Sequence, residues 1–267
     1  MEFDRKVVWL TGGGGRIGPF VASAFAREGA AVAICDIDGA RAERARDAVR
    51  AAGGKAVSIQ GDVSREADVD RMLEGLTSQL GPVDILVNSH GVSPNMPLLD
   101  MDLATWQSPF VVNTQGCFLT CRAAARQMVA RGARGTLINI SSGAGTSGRP
   151  GSSAYCASKA AINMLTQVFA TELGPHGIRV NAVTPGLVTD RPLRRGEGTH
   201  PYLNLMIDMT PLGRTGVPDD VAAAVLSIAS DRLAWVTGAN LEVTGGSHCG
   251  RTNAPLTPRL DAQGRPA

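Results

Sequence analysis

The chain has 267 residues, 43% hydrophobic and 19% charged, enough apolar material for one large core and enough charge for a soluble surface. Its formal net charge of +2 is scattered along the chain, so no basic block marks a nucleic-acid or acidic-membrane partner. No apolar run approaches the roughly 18 residues of a membrane span, and Val7 to Leu10 is too short for a signal-peptide core.

Apolar, β-branched runs alternate with alanine-rich stretches of helical period, the mark of repeated βαβ units around a parallel sheet. Seven strands are predicted, at 6–11, 31–36, 55–60, 83–88, 135–140, 179–183 and 240–243, each short enough to be buried on both faces. Glu28-Gly29, Gly53-Gly54 and Gly81-Pro82 stop the first three helices, and Pro218-Asp219-Asp220 opens the last. A catalytic domain over 1–246 is expected. It includes a polar connection at 187–216, read as a substrate lid, and is followed by a tail at 247–267 that lacks apolar periodicity.

Five cysteines without CxxC pairs suit a reduced, cytoplasmic protein, and Cys117 and Cys121, four apart on one helix face, read as core residues. The four histidines show no metal-ligand spacing, so no metal is expected.

After the first strand comes Thr11-Gly12-Gly13-Gly14-Gly15-Arg16-Ile17-Gly18, opening a helix. In that context a glycine turn lets backbone N–H groups and the helix dipole hold a dinucleotide pyrophosphate. Asp36 ends the second strand about 25 residues later, where a carboxylate accepts from the ribose hydroxyls of NAD and repels the 2′-phosphate of NADP. Ile37 follows it, not a cation, so NAD is the expected cofactor. Gly61-Asp62-Val63 has two readings: Asp62 and Val63 meet the adenine, or Asp62 caps the helix starting near Ser64.

Tyr155 and Lys159 are four apart in a predicted helix over 152–173, so both project from one face. A phenol is a poor base near neutrality, and an ammonium and an oxidised nicotinamide beside it both favour the phenolate.

The Thr11-Gly12 turn, Asn88-Ser89-His90-Gly91, Asn113, Asn139-Ile140-Ser141-Ser142, Tyr155-Cys156-Ala157-Ser158-Lys159 and Pro185-Gly186 together resemble the classical short-chain dehydrogenase/reductases over residues 5–246. The resemblance implies a single-domain, doubly wound, Rossmann-type α/β fold: a seven-stranded parallel sheet with helices on both faces, assembled as a homotetramer or dimer. It implies hydride transfer between a nicotinamide and a small secondary alcohol or ketone. Tyr155 is then the acid/base, Lys159 its cationic neighbour, Ser142 the residue holding the substrate oxygen, and Asn113 the holder of a relay water. Cofactor contacts are implied for Gly12, Gly14, Gly15, Arg16, Ile17, Gly18, Asp36, Ile37, Asp62, Val63, Asn88, Gly91, Tyr155, Lys159, Pro185, Gly186, Val188 and Thr189.

Three positions depart from the family pattern. Arg16 replaces a glycine and either contacts a phosphate or points away; His90 replaces an alanine and either packs locally or tunes the site. Thr189 stands four residues after Pro185, where the family has a threonine at five, so Thr189 and Asp190 compete for the nicotinamide carboxamide. In the lid, Arg191, Arg194 and Arg195 form either an anion site for substrate or a solvated basic loop. A 3-oxoacyl or other ketone reductase using NADPH, and a catalytically silent cofactor-binding regulator, are the alternative functions.

Overall fold

The computed structural model describes residues 1–198 and 200–250. Seven strands form one parallel sheet: β1 (Val7–Thr11), β2 (Ala31–Asp36), β3 (Lys55–Gln60), β4 (Ile85–Asn88), β5 (Gly135–Ile140), β6 (Ile178–Pro185) and β7 (Asn240–Val243). The order is β3-β2-β1-β4-β5-β6-β7, with every pair parallel. Chain direction across the sheet reverses between β1 and β4, the switch point where such folds open a crevice beyond the strand ends.

Strand alternation splits the core into two layers. Val8, Leu10, Val32, Ile34, Val87, Ile138 and Val183 face α1 (Gly18–Arg27), α2 (Gly39–Ala51) and α8 (Pro218–Ala229). Trp9, Ala33, Cys35, Val57, Leu86, Leu137 and Val180 face α3 (Glu66–Leu80), α5 (Gly116–Ala130) and α6 (Ser153–Leu173). Leu10, Ile34 and Leu86 are fully buried, as a sheet covered on both faces requires.

The predicted strands hold, with shifted ends in three of them. β4 starts two residues late because the Val83 amide donates to the Gln127 side chain (2.8 Å) instead of a strand. β1 starts at Val7, not Lys6, and β6 runs from Ile178 to Pro185, where proline ends the pairing. The three glycine stops behave as read: Gly29, Gly53 and Gly81 have φ of +92°, +82° and +103°. Arg179 ties α8 to the sheet, donating to the carbonyls of Ile228 (2.9 Å), Ala229 (3.0 Å) and Ser230 (3.3 Å) that the helix leaves open.

Two elements were not foreseen. Before α5, Asp102 caps a short helix α4 (Leu103–Pro109), and Phe110–Gln115 then forms a π-helical turn. The 187–216 connection is not wholly irregular, because α7 (Pro201–Asp208) lies within it with Ile207 buried. Of the predicted tail, Ser247 and Cys249 sit in turns on Thr244 and Gly246; residues 251–267 lie outside the described residues.

Candidate active site

The crevice begins at the glycine turn. Gly12 has φ +63°, and a Cβ there meets the His90 backbone at 2.5 Å. Gly14 packs against Arg41, and Gly18 against the Gly13 carbonyl, so these glycines first allow the turn to fold tightly. Gly15 is exposed, Ile17 packs into the core, and no side chain caps the N-terminus of α1, which leaves its first-turn donors open to the crevice. Arg16 reaches across to the 187–216 connection: Nη1 donates to the Val188 carbonyl (3.0 Å) and Nε lies 4.0 Å from Asp190.

The Asp36 carboxylate accepts from the amides of Gly14 (2.9 Å) and Asp38 (3.0 Å), so it also braces the turn. Sequence reading missed Arg41, which lies over Gly14 and pairs with Asp38 at 3.1 Å. A cavity of about 210 Å³ is lined by Ile37, Gln60, Gly61, Asp62, Asp68 and Arg71. Asp62 Oδ1 accepts from the Ser64 amide (2.9 Å) and hydroxyl (2.7 Å), a local cap; α3 itself begins later, at Glu66. Val63 is buried against Gly116.

Below the crevice floor runs a buried polar network. Asn88 Oδ1 accepts from Thr11 (3.1 Å) and Thr120 (2.8 Å), and Nδ2 donates to Asn139 (3.0 Å) and the Cys121 sulfur (3.3 Å). Cys117 and Cys121 are buried and free, as read. His90, whose partner could not be read from the chain alone, has its Nδ1 on the Thr11 hydroxyl at 2.7 Å. Burial, with the Lys159 charge nearby, pushes the His90 pKa down to about 3, so the ring is neutral at physiological pH.

The candidate catalytic residues converge beside this network. Lys159 is 4% exposed, its Nζ donates to the Ile140 carbonyl at 2.8 Å, and it stands 5.8 Å from the centroid of the half-buried Tyr155 ring. Burial lowers the Lys159 pKa to about 8. Ser142, just past β5, accepts from the Ala144 amide (3.2 Å). The 3₁₀ turn that it caps rests on α6, where a Cβ on Gly145 meets the Lys159 carbonyl at 3.0 Å. Asn113 sits in the π-helical turn, not a regular helix. Its Oδ1 accepts from the Val92 amide (2.8 Å), and its Nδ2 donates to the Val92 carbonyl and Ser158 Oγ (both 3.0 Å), joining the loop after β4 to α6. A Cβ on Gly91 lies 3.3 Å from Asn113 Oδ1 and 3.7 Å from Lys159 Nζ.

Pro185 and Gly186 lead into the 187–216 connection, and Gly186 packs on Thr244. Val188 pairs with Gly216; Thr189 Oγ1 donates to the Arg191 carbonyl (2.7 Å) and meets Thr215 Oγ1 (2.6 Å). Asp190 is exposed beside Arg16. Arg191, Arg194 and Arg195 are exposed. Arg195 pairs with Asp208 (2.7 Å), Arg191 lies 3.8 Å from Glu197, and Arg191 and Arg194 line a cavity of about 440 Å³ with Arg214 and Glu197.

A family model described as Enoyl-(Acyl carrier protein) reductase matches residues 15–248. The chain is 39% identical over 249 residues to 2-(S)-hydroxypropyl-CoM dehydrogenase 3 of Xanthobacter autotrophicus, covering 92% of this chain and 97% of that one. It is 41% identical over 255 residues to the (3R)-3-hydroxyacyl-CoA dehydrogenase of Canis lupus familiaris, with the same coverages. It belongs to the classical short-chain dehydrogenase/reductase family. A crystal structure of a short-chain type dehydrogenase/reductase from Mycobacterium marinum superposes with a TM-score of 0.86 at 36% identity, covering 93% of this chain and 97% of that one. As a short-chain dehydrogenase/reductase the protein is an oxidoreductase acting on alcohols, and the family's cofactors are nicotinamide dinucleotides. Its residues fit such a group: the uncapped α1 terminus faces the crevice at the switch point, and the cavity at Ile37 and Gly61 opens beside Asp36. No helix among the described residues is long and apolar enough to cross a membrane.

Proposed function

We propose that this short-chain dehydrogenase/reductase uses NAD to interconvert a secondary alcohol and a ketone, with Tyr155 as the acid/base. The observation that carries the reading is Lys159 Nζ, fixed by the Ile140 carbonyl and 5.8 Å from the Tyr155 ring, with the Ser142 turn resting on the same segment of α6. When bound, the nicotinamide supplies the hydride acceptor or donor.

In oxidation Tyr155 takes the alcohol proton, and in reduction it returns it. The Lys159 ammonium favours the phenolate that oxidation requires. Because Ser142 Oγ accepts from Ala144, its own proton is free to hold the substrate oxygen. Asn113 positions the loop after β4 against α6, and its main chain in the π-helical turn is the group left to hold a relay water. Gly12, Gly14, Gly15, Arg16, Ile17 and Gly18 surround the pyrophosphate; Asp36 and Ile37 meet the ribose; Asp62 and Val63 the adenine. Asn88, Gly91, Pro185, Gly186, Val188 and Thr189 line the nicotinamide end.

Asp36 favours NAD. Arg41, over Gly14, is already held by Asp38, and Arg71, at the cavity beside Ile37, by Asp68, which argues against the NADPH-linked reductase reading. A homo-oligomer is supported by Phe118 on α5 and Met164 and Val168 on α6, large apolar side chains 39% or more exposed on neighbouring helices. Five free cysteines suit a reducing compartment, and the catalytic unit is assigned to 1–246 with 187–216 as its lid.

A screen of secondary alcohols with NAD and NADP, and of ketones with NADH and NADPH, tests the proposal. Turnover with NAD at least tenfold more efficient than with NADP is expected. A preference for NADP overturns the cofactor assignment, and no turnover with any pair favours the silent regulator.

A further inference from the structure

Arg149 lies in the loop between Ser142 and Tyr155. Its Nη2 is 3.6 Å from the Cβ position of Gly143, the residue after Ser142, and the Pro185 carbonyl is 3.9 Å from that same point. The guanidinium therefore stands beside the Ser142 turn, close to the end of β6.

Among the described residues no acceptor pairs with this side chain, although it is half-buried. Of the other arginines around the crevice, Arg194 is exposed to solvent, and the rest are matched. Arg191 lies near Glu197, Arg195 pairs with Asp208, Arg214 holds Asp220 through two hydrogen bonds (2.8 and 3.0 Å), and Arg16 is taken by Val188 and Asp190. A half-buried guanidinium presents five donors in a planar fork, and leaving them unmatched is unfavourable. The loop that carries it is braced: the Met96 amide donates to the Gly151 carbonyl (2.8 Å), the Ser152 amide to the Arg149 carbonyl (3.1 Å), and the Ser147 amide to Gly143 (3.1 Å). Small residues leave space beside it, since a Cβ on Gly148 meets nothing within 4 Å and one on Gly143 meets only Arg149 and Pro185.

We propose that Arg149 is the specificity-determining residue of the substrate site and binds a terminal oxyanion, carboxylate or sulfonate, on an alcohol whose hydroxyl lies at Ser142 and Tyr155. The inference rests on the reading of those two residues as the reacting pair. A planar fork matches a carboxylate with two parallel hydrogen bonds, which orients the substrate as well as holding it. The lid arginines, exposed and mostly matched to lid acids, are solvated loop residues in this account.

The test compares the full-length wild type, R149M and R149K with NAD on 3-hydroxybutanoate, 4-hydroxypentanoate and 5-hydroxyhexanoate beside their neutral methylamides. For the best chain length the wild type is expected to favour the acid. R149M lowers kcat/KM for the acid about 100-fold, mainly through KM, while its value for the amide stays within about threefold, and R149K recovers part of the loss. Equal losses on acid and amide in R149M, or a wild type that prefers the amide, overturn the proposal. Calorimetric titration of butanoate into the NAD-loaded proteins separates the two readings. If no alcohol is turned over yet butanoate binds the wild type and not R149M, the anion site stands and the reaction assignment fails. If butanoate binds both alike, or neither, the anion site falls.

Discussion

Lys159 on α6 donates to the carbonyl of Ile140 at the end of β5, a 2.8 Å bond that fixes a buried ammonium beside a tyrosine ring. That burial has a cost that pH reveals. The folded-state pKa, about 8, lies below the ordinary 10.5, so between these values the unfolded chain binds more protons and stability rises with pH. The Lys159 contribution is about 3 kcal/mol, unfavourable below pH 8 and gone above about 10.5. In Lys159→Met this component is expected to vanish while turnover drops at least a hundredfold. Urea unfolding of both apo proteins from pH 7 to 10.5 checks it, and parallel stability profiles count against it.

Tyr155→Phe keeps the ring that Lys159 faces and removes only the hydroxyl. NADH affinity, read by fluorescence titration, should stay within about threefold, and kcat should fall by about a thousandfold or more. Near-normal turnover in this variant removes Tyr155 from the chemistry.

In the proposed reading Asp36 has two duties, because its carboxylate also accepts from the Gly14 and Asp38 amides. Asp36→Asn keeps one oxygen and loses the charge. The NAD:NADP ratio of kcat/KM is expected to fall about tenfold, and stability by about 1–2 kcal/mol as one amide loses its acceptor. A changed ratio with unchanged stability shows that the bracing is dispensable.

Arg16→Gly restores the glycine of the family pattern and cuts the link to the Val188 carbonyl. An exposed hydrogen bond of this kind contributes about 1 kcal/mol, so the lid should open up to several-fold more often. Limited proteolysis within 190–200 is expected to accelerate and NADH release, followed by stopped flow, to quicken. Identical cleavage rates in the two proteins show that Arg16 does not restrain the lid.

The sheet was legible because buried parallel strands are uninterrupted apolar runs punctuated by glycine and proline, as Ala31–Asp36 and Gly135–Ile140 illustrate. The Tyr155 and Lys159 pairing was legible because helical spacing alone puts the two on one face. What stayed hidden depended on contacts distant in sequence. Arg41 lies five residues beyond Asp36, in the first turn of α2, whereas a cation was sought directly after it; Arg195 looked free because its partner Asp208 belongs to a helix masked by surrounding polar residues. A π-helical turn at Asn113 adds one residue to a period, and composition does not register that. Arg149 drew no notice because an unmatched guanidinium is visible only once every neighbour is placed.

The strand order also governs assembly in time. β1 joins β2 across a short stretch of chain, Val8 to Val32, but its other edge waits for Ile85 to emerge and align with Val8. Until then Val7-Val8-Trp9-Leu10 offers an apolar, unpaired ribbon to any neighbouring nascent chain. Parallel pairing over such separations is slow, so refolding yield from urea should depend steeply on protein concentration, with aggregation seeded at the centre of the sheet rather than at its rim.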